Sequence, residues 1–327
     1  EDGIRDKRGG LVGSEMCIRD SPLLIQELDA LGYTNDERLE QSYDQICEII
    51  HEYDGLIIRS RIPIDRNLLE KAQNLKFIGR VGAGLENIDV EFARSRDIYL
   101  IPAPEGNRNA VAEHALGMLL SLFNKLHTAD REVRQGLWRR EANRGVELDG
   151  KTVGIIGYGN TGKAFAKKLK GFDVDVLCYD IVGGVGDVNA RQVGMLEFCQ
   201  LVDVVSLHVP LTDLTRAMVT TEFIDQFQKP IWFLNTASGK CVNTKELVEG
   251  LRSGKVRGVG LDVLEYEASS LLGLFDPGSD PENTPEPLAY LRKAENVILS
   301  PHVAGWTVES KEYLARAIVE KIKARFA

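Results

Sequence analysis

Thr152-Val-Gly-Ile-Ile-Gly-Tyr-Gly-Asn-Thr-Gly-Lys163 is the stretch that decides the fold. Thr152–Ile156 is a short apolar run bounded by glycine, which reads as a buried strand. Gly157-Tyr158-Gly159-Asn160-Thr161-Gly162 then has the spacing GxGxxG. After it, Phe165, Leu169 and Phe172 recur at i, i+4 and i+7, the stripe of a helix. The next apolar run, Val174–Tyr179, ends on Asp180, 18 residues beyond Gly162. A lone GxGxxG means little, but strand, glycine turn, helix and a following acidic residue make the dinucleotide fingerprint. Gly157 permits the tight turn, Gly159 lets backbone N–H groups approach a pyrophosphate, and Gly162 allows close helix–strand packing. Asn160 and Thr161 open the helix whose N-terminus favours the phosphate charge. Asp180 suits ribose hydroxyls and would repel a 2′-phosphate, so NAD is favoured over NADP. Gly157–Lys163 also fits GxxxxGK, but Ala164 replaces the hydroxyl that a P-loop needs for Mg²⁺.

Working outward, further strand-like runs follow at Asp203–His208, Ile231–Asn235, Gly258–Leu264 and Asn296–Ser300. With the two already named they supply six strands for a doubly wound α/β domain. Upstream, Gly55–Arg59, Phe77–Val81 and Ile98–Ile101 alternate with helical stretches at Asn67–Gln73 and Val90–Ser95, which predicts a second parallel sheet. Helices are also expected over Ser21–Leu31, Ala110–Leu126 and Thr307–Phe326, the last with Thr307 as N-cap. Glu267–Pro287, rich in Pro, Asp, Ser and Gly, reads as a surface loop.

The chain has 327 residues, 43% hydrophobic and 27% charged, room for two ordinary globular domains. A net charge of −9 disfavours nucleic acid as a partner. No apolar run reaches the roughly 18 residues of a membrane span. Cys17, Cys47, Cys178, Cys199 and Cys241 are odd in number and widely spaced. That argues against a disulfide framework or a metal cluster and fits a reducing cytoplasm. Glu1–Asp20 has no sustained period and resembles a translated sequencing adapter. It is read as non-native, against the alternative of a native disordered tail. The helix at Ser21–Leu31 then lacks its preceding strand, unless Glu15–Arg19 takes that place.

Three segments fall at C-terminal strand ends, where ligands sit in such sheets. They are Asn235–Lys240, Leu261–Glu267 and Ser300–Gly305. His302 is a candidate base for a hydroxyl proton, and Glu267 a candidate carboxylate to fix its tautomer. Taken singly, a histidine after a strand is more often a packing residue; the glycine motif tips the reading toward catalysis.

From Ser21 onward the chain resembles the D-isomer-specific 2-hydroxyacid dehydrogenases, nearest their phosphoglycerate dehydrogenase-like members. The resemblance rests on Arg80–Asp89 (RVGAGLENID), Asn109–His114 (NAVAEH), Glu147–Gly157, His208–Thr212 (HVPLT), Gly260–Val263 (GLDV) and Ser300–His302. It implies a Rossmann NAD-binding domain, 104–302, inserted in a flavodoxin-like substrate domain, 1–103 plus 303–327, with the active site in the cleft. It implies a homodimer through the NAD domains near Ala110–Leu126. His302 would be the acid/base, Glu267 its partner, and Asp262 a contact of the nicotinamide amide. Thr236, Ala237, His208, Val209, Pro210 and Gly305 would line the cofactor. Backbone N–H groups of Val81, Gly82 and Ala83 would hold the substrate carboxylate. Arg59, Ser60 and Arg61 would face a phosphorylated hydroxy acid such as 3-phosphoglycerate; a pair of surface arginines is the plain alternative.

One position departs from the family. Its pattern N-x-[AS]-R-G has Ser238 where the arginine belongs. Arginine would clamp the substrate carboxylate; Lys240 is the nearest cation and cannot form the bidentate fork. Three readings stay open: a sequence error, a weakened enzyme, and a non-catalytic NAD(H) sensor or corepressor-like scaffold. His51, His114 and His127 read as packing or solvent-facing residues, and Trp138 and Trp306 as core or rim aromatics.

Overall fold

The apolar runs form strands of two parallel sheets in the computed structural model, which describes residues 8–13 as backbone, 22–38, 40–59, 61–267 and 284–326. The chain divides into two compact units, Glu1–Arg108 with Trp306–Ala327, and Asn109–Gly305.

The first unit holds β1 (Arg8–Gly13), β2 (Tyr33–Glu37), β3 (Tyr53–Ile58), β4 (Phe77–Arg80) and β5 (Tyr99–Pro102). Their order, β2-β1-β3-β4-β5, is the flavodoxin-like winding. One face packs on Leu24, Leu28, Leu314, Ile318 and Ile322, so the helix Val308–Phe326 returns to this sheet. The other face packs on Ile46, Leu68, Leu69 and Ala93. Thr307 caps the returning helix: Ser310 N–H donates to its hydroxyl at 3.0 Å.

In this unit two strands depart from the sequence reading, and in the second the short Arg191–Gln192 strand does. The strand before the first helix is Arg8–Gly13, inside the stretch set aside as non-native, while Glu15–Arg19 lies outside the described residues. The place between β2 and β3 offers backbone donors and acceptors on both sides, and Leu11 pairs there with Asn35 and Gly55. Backbone pairing of this kind needs no apolar period, so Arg8-Gly-Gly-Leu-Val-Gly13 gives no sequence signal. β2 was not anticipated either. It is an edge strand with Tyr33 as its one buried residue.

The second unit holds β6 (Thr152–Ile156), β7 (Asp175–Tyr179), the two-residue β8 (Arg191–Gln192) and β9 (Val204–Leu207). It continues with β10 (Ile231–Asn235), β11 (Val256–Leu261) and β12 (Val297–Leu299). The order β12-β11-β10-β9-β6-β7-β8 reverses direction between β6 and β9, where ligands bind in such sheets. One face carries a core of Phe198, Phe223, Phe227, Phe233 and Leu247. The other carries Met118, Leu119, Phe123, Phe165 and Trp232, which seats the helix Arg108–Phe123 and the helix after the glycine turn.

Residues 268–283 of the expected Glu267–Pro287 loop lie outside the described residues; its end is helical, because Glu286–Leu291 forms a helix with Pro287 in its first turn. Pro has no N–H to lose there. Trp138 is 79% exposed, neither core nor rim. Among the described residues no helix is long and apolar enough to cross a membrane.

Candidate active site

The turn between β6 and the helix Asn160–Lys168 is built by its glycines. Gly157 has φ +90°, and a Cβ there would lie 2.7 Å from the His208 carbonyl carbon. The glycine turn and His208-Val209-Pro210 therefore lie against each other. A Cβ on Gly162 would stand 2.2 Å from the Gly157 carbonyl oxygen, whereas one on Gly159 would meet nothing within 4 Å. The helix N-terminus at Gly159 has no side-chain cap, so its first N–H groups face the open side of the turn. Asp180 accepts hydrogen bonds from Tyr158 N–H (2.7 Å) and Val182 N–H (2.9 Å), which fix its carboxylate at the end of β7. These residues fit a dinucleotide: open space over Gly159, an uncapped helix start for phosphate, and an oriented carboxylate for ribose.

Gly162→Ala forces a methyl against the Gly157 carbonyl, about 1–3 kcal/mol of overpacking. NADH fluorescence titration is expected to show about a tenfold weaker Kd, while Gly183→Ala, with nothing within 4 Å, leaves it unchanged.

His208 is fully buried beside Phe165, their ring centroids 5.3 Å apart, with Nε2 2.9 Å from Ser206 Oγ. Its Nδ1 and Thr236 Oγ1 are buried without a hydrogen-bond partner among the described residues. Burial pushes the imidazole down from 6.5 to about 3. Below about pH 6.5 the unfolded chain binds a proton here that the folded chain refuses. Stability from this group is present above pH 6.5 and is lost as pH falls toward 3. Urea denaturation should show unfolding free energy falling by roughly 1.4 kcal/mol per pH unit more in the parent than in His208→Gln between pH 6 and pH 5.

At the end of β12 the chain turns sharply through Ser300–Ala304. His302 takes a left-handed conformation, φ 54°, a strained state for a residue with a Cβ. Its N–H donates to the Asp262 carbonyl at 2.9 Å. The Asp262 side chain, 1% exposed, accepts from Val303 N–H (2.9 Å), Ala304 N–H (2.8 Å) and the Ser300 hydroxyl. The carboxylate expected near the nicotinamide amide thus holds the turn that carries His302. His302 Nδ1 lies 2.9 Å from Glu267 Oε2. Glu267 Oε1 accepts from Leu264 N–H at 2.8 Å, which orients the carboxylate. The neighbouring Glu265 turns elsewhere and caps the helix Thr244–Ser253 through Thr244 N–H.

Asn235 organises the loop after β10. Its Oδ1 accepts from Ala237 N–H and its Nδ2 donates to the Ser238 carbonyl. Ser238 is half-buried with extended backbone, and Lys240 is exposed. A Cβ on Gly239 would lie 1.9 Å from the Leu264 carbonyl oxygen, so this loop is pressed onto the turn that leads to Glu267.

In the first unit, Val81 N–H already donates to the Ile58 carbonyl and Gly82 N–H to the Arg80 carbonyl. Of the three N–H groups expected to hold a carboxylate, Ala83 alone has no internal acceptor among the described residues. The chain spends the other two on extending the β3–β4 pairing and on a tight turn. Arg59 lies over the Trp306 ring at 4.2 Å, and its Nε is buried without a hydrogen-bond partner. Arg61 donates to the Gln41 carbonyl, and Ser60 lies outside the described residues. The sequence reading missed His114, whose Nε2 is 2.9 Å from Ser300 Oγ. No local pattern marks a contact between residues so far apart in the chain.

Residues 116–304 match the family model described as D-isomer specific 2-hydroxyacid dehydrogenase, NAD binding domain. The chain is 33% identical over 304 residues to a hydroxypyruvate reductase of Thermotoga maritima, covering 93% of this chain and 94% of that protein. It is 33% identical over 305 residues to a D-3-phosphoglycerate dehydrogenase of Archaeoglobus fulgidus, covering 90% of this chain and 54% of that protein. The chain therefore spans about half the length of that relative. A solved D-lactate dehydrogenase from Aquifex aeolicus, complexed with NAD and lactic acid, superposes with a TM-score of 0.79 at 26% identity, covering 96% of this chain and 94% of that chain.

Proposed function

Since the chain belongs to the D-isomer-specific 2-hydroxyacid dehydrogenase family and carries its NAD-binding domain, we propose that it interconverts a D-2-hydroxy acid and the 2-keto acid with NAD. The His302–Glu267 pair carries this reading. A carboxylate accepting from Nδ1 fixes the proton on that nitrogen and makes Nε2 the basic atom. NAD, when bound, would supply the acceptor for the C2 hydride in oxidation and its donor in reduction. His302 Nε2 takes the hydroxyl proton in the first direction and supplies it in the second. Glu267, itself held by Leu264 N–H, stabilises the imidazolium between the two. The glycine turn and the Asp180 carboxylate bind and orient the dinucleotide.

An anionic substrate extension is the proposed specificity. The Arg59 guanidinium is braced on Trp306, with Lys311 Nζ 5.5 Å from the same ring. A stacked guanidinium keeps its fork for a phosphate or carboxylate. This supports a phosphorylated 2-hydroxy acid such as 3-phosphoglycerate. The reading includes a cytoplasmic homodimer through the second unit, supported by exposed Leu126, Val133 and Trp138 after the helix Arg108–Phe123.

Ser238 favours a second reading, a catalytically impaired protein that binds NAD(H) as a sensor or scaffold. NADH oxidation with phosphohydroxypyruvate, hydroxypyruvate, glyoxylate and pyruvate separates the two. The first reading expects turnover, with the highest kcat/KM on phosphohydroxypyruvate. A preference for hydroxypyruvate removes the phosphate assignment. NADH binding without turnover on any of the four favours the sensor.

A further inference from the structure

The geometry points to His114 as a positioning residue for His302, acting through Ser300 and Asp262. This deepens the reading above, since it takes His302 as the acid/base. His114 stands on the helix Arg108–Phe123, 2.9 Å from Ser300 Oγ and 3.6 Å from Asp262 Oδ1. The direction of each hydrogen bond follows from proton count. Asp262 accepts a backbone N–H on each oxygen and the Ser300 hydroxyl on Oδ1, so it is the acceptor at this end. The Ser300 hydroxyl has one proton, and it points to Asp262 Oδ1. His114 Nε2 must then donate to Ser300 Oγ. The result is a one-way chain, His114 N–H to Ser300 O–H to Asp262, that ends on the carboxylate holding Val303 and Ala304.

The chain matters because the turn it secures is strained. His302 remains at φ 54° only while its surroundings enforce it. A buried carboxylate with all its donors in place rigidifies that turn, and one that has lost a donor does not. Without His114, Ser300 Oγ has no donor to orient it, and its hydroxyl is released to rotate away from Asp262. The imidazole of His302 then loses its fixed aim, although no group that touches substrate has been altered.

The test uses His114→Leu, His114→Gln, Ser300→Ala and the Leu/Ala double variant, each read two ways. Amide hydrogen exchange at Val303 and Ala304 is expected to accelerate about tenfold in His114→Leu and in Ser300→Ala, the scale of one neutral hydrogen bond. Amides of β10 and β11 should stay as protected as in the parent. Gln, which keeps an N–H donor, should restore protection. The kcat for keto-acid reduction should fall about tenfold with KM for NADH unchanged, and the double variant should match either single one, since both break one chain. Unchanged exchange in His114→Leu overturns the proposal. Multiplying losses in the double variant do so too, as does exchange that speeds throughout the unit. If the parent binds NADH but turns nothing over, the exchange result still decides His114, and the acid/base reading alone fails.

Discussion

His302→Asn lowers kcat for keto-acid reduction by about 10²–10⁴, the range that a positioned general acid or base contributes. Asn is the informative replacement because it tolerates the left-handed backbone that position 302 adopts, φ 54°, better than Ala or Leu. The turn Ser300–Ala304, held from Asp262, is then preserved while the imidazole is removed. NADH affinity should change by no more than a few fold, since the glycine turn and Asp180 are untouched. Stopped-flow turnover beside NADH fluorescence titration makes the comparison. An unchanged rate with an unchanged pH profile would place the proton transfer elsewhere. A companion change, Glu267→Gln, should lose less, because it keeps a hydrogen-bonding partner for Nδ1 but removes the charge that stabilises the imidazolium.

What the sequence made visible follows the physics of each element. Strands buried on both faces announce themselves as apolar runs, so β6, β9 and β10 were legible to within a residue or two. The glycine turn marks one of them as the first strand of a doubly wound sheet. Edge and slot strands are held by backbone pairing instead. β2 reads Tyr-Thr-Asn-Asp-Glu and β1 reads Arg-Gly-Gly-Leu-Val-Gly, and neither carries a period.

The site divides the same way. Gly157, Gly162 and Asp180 stand close together in sequence, and their chemistry could be read from spacing alone. The pairing of His302 with Glu267 spans 35 positions; it is suggested by their places after two strand ends and strengthened by the resemblance to a family. The link from His114 to Ser300 spans 186 positions and had no signal at all. Asp262 was expected to contact the cofactor; the structure adds that both its oxygens accept hydrogen bonds from Ser300–Ala304, a role with no local sequence signal. The same holds for Val81 and Gly82, whose N–H groups are taken up inside the first unit.

Ser238→Arg is expected to raise kcat/KM for the keto acid by about 10²–10³, or roughly 3–4 kcal/mol of barrier, by analogy with restoring one oxyanion donor. The backbone around that position is held from both sides. Asn235 grips the Ala237 N–H on one side of it and the Ser238 carbonyl on the other. Gly239 is locked behind it, because any Cβ there would strike the Leu264 carbonyl. A backbone held on both sides keeps the Cα of position 238 in place when a longer side chain is put there. Whether Ser238 is a sequence error, a weakening change or the mark of a non-catalytic protein is then a kinetic question. Initial rates for the parent and the variant over the four keto acids decide it. A large gain in the variant supports the dehydrogenase reading and makes Ser238 a sequence error or a disabling change. Equal and substantial rates would mean that another cation, with Lys240 the first to replace by Met, has taken over the arginine's part. Silence in both, with NADH still bound, would favour the sensor or scaffold.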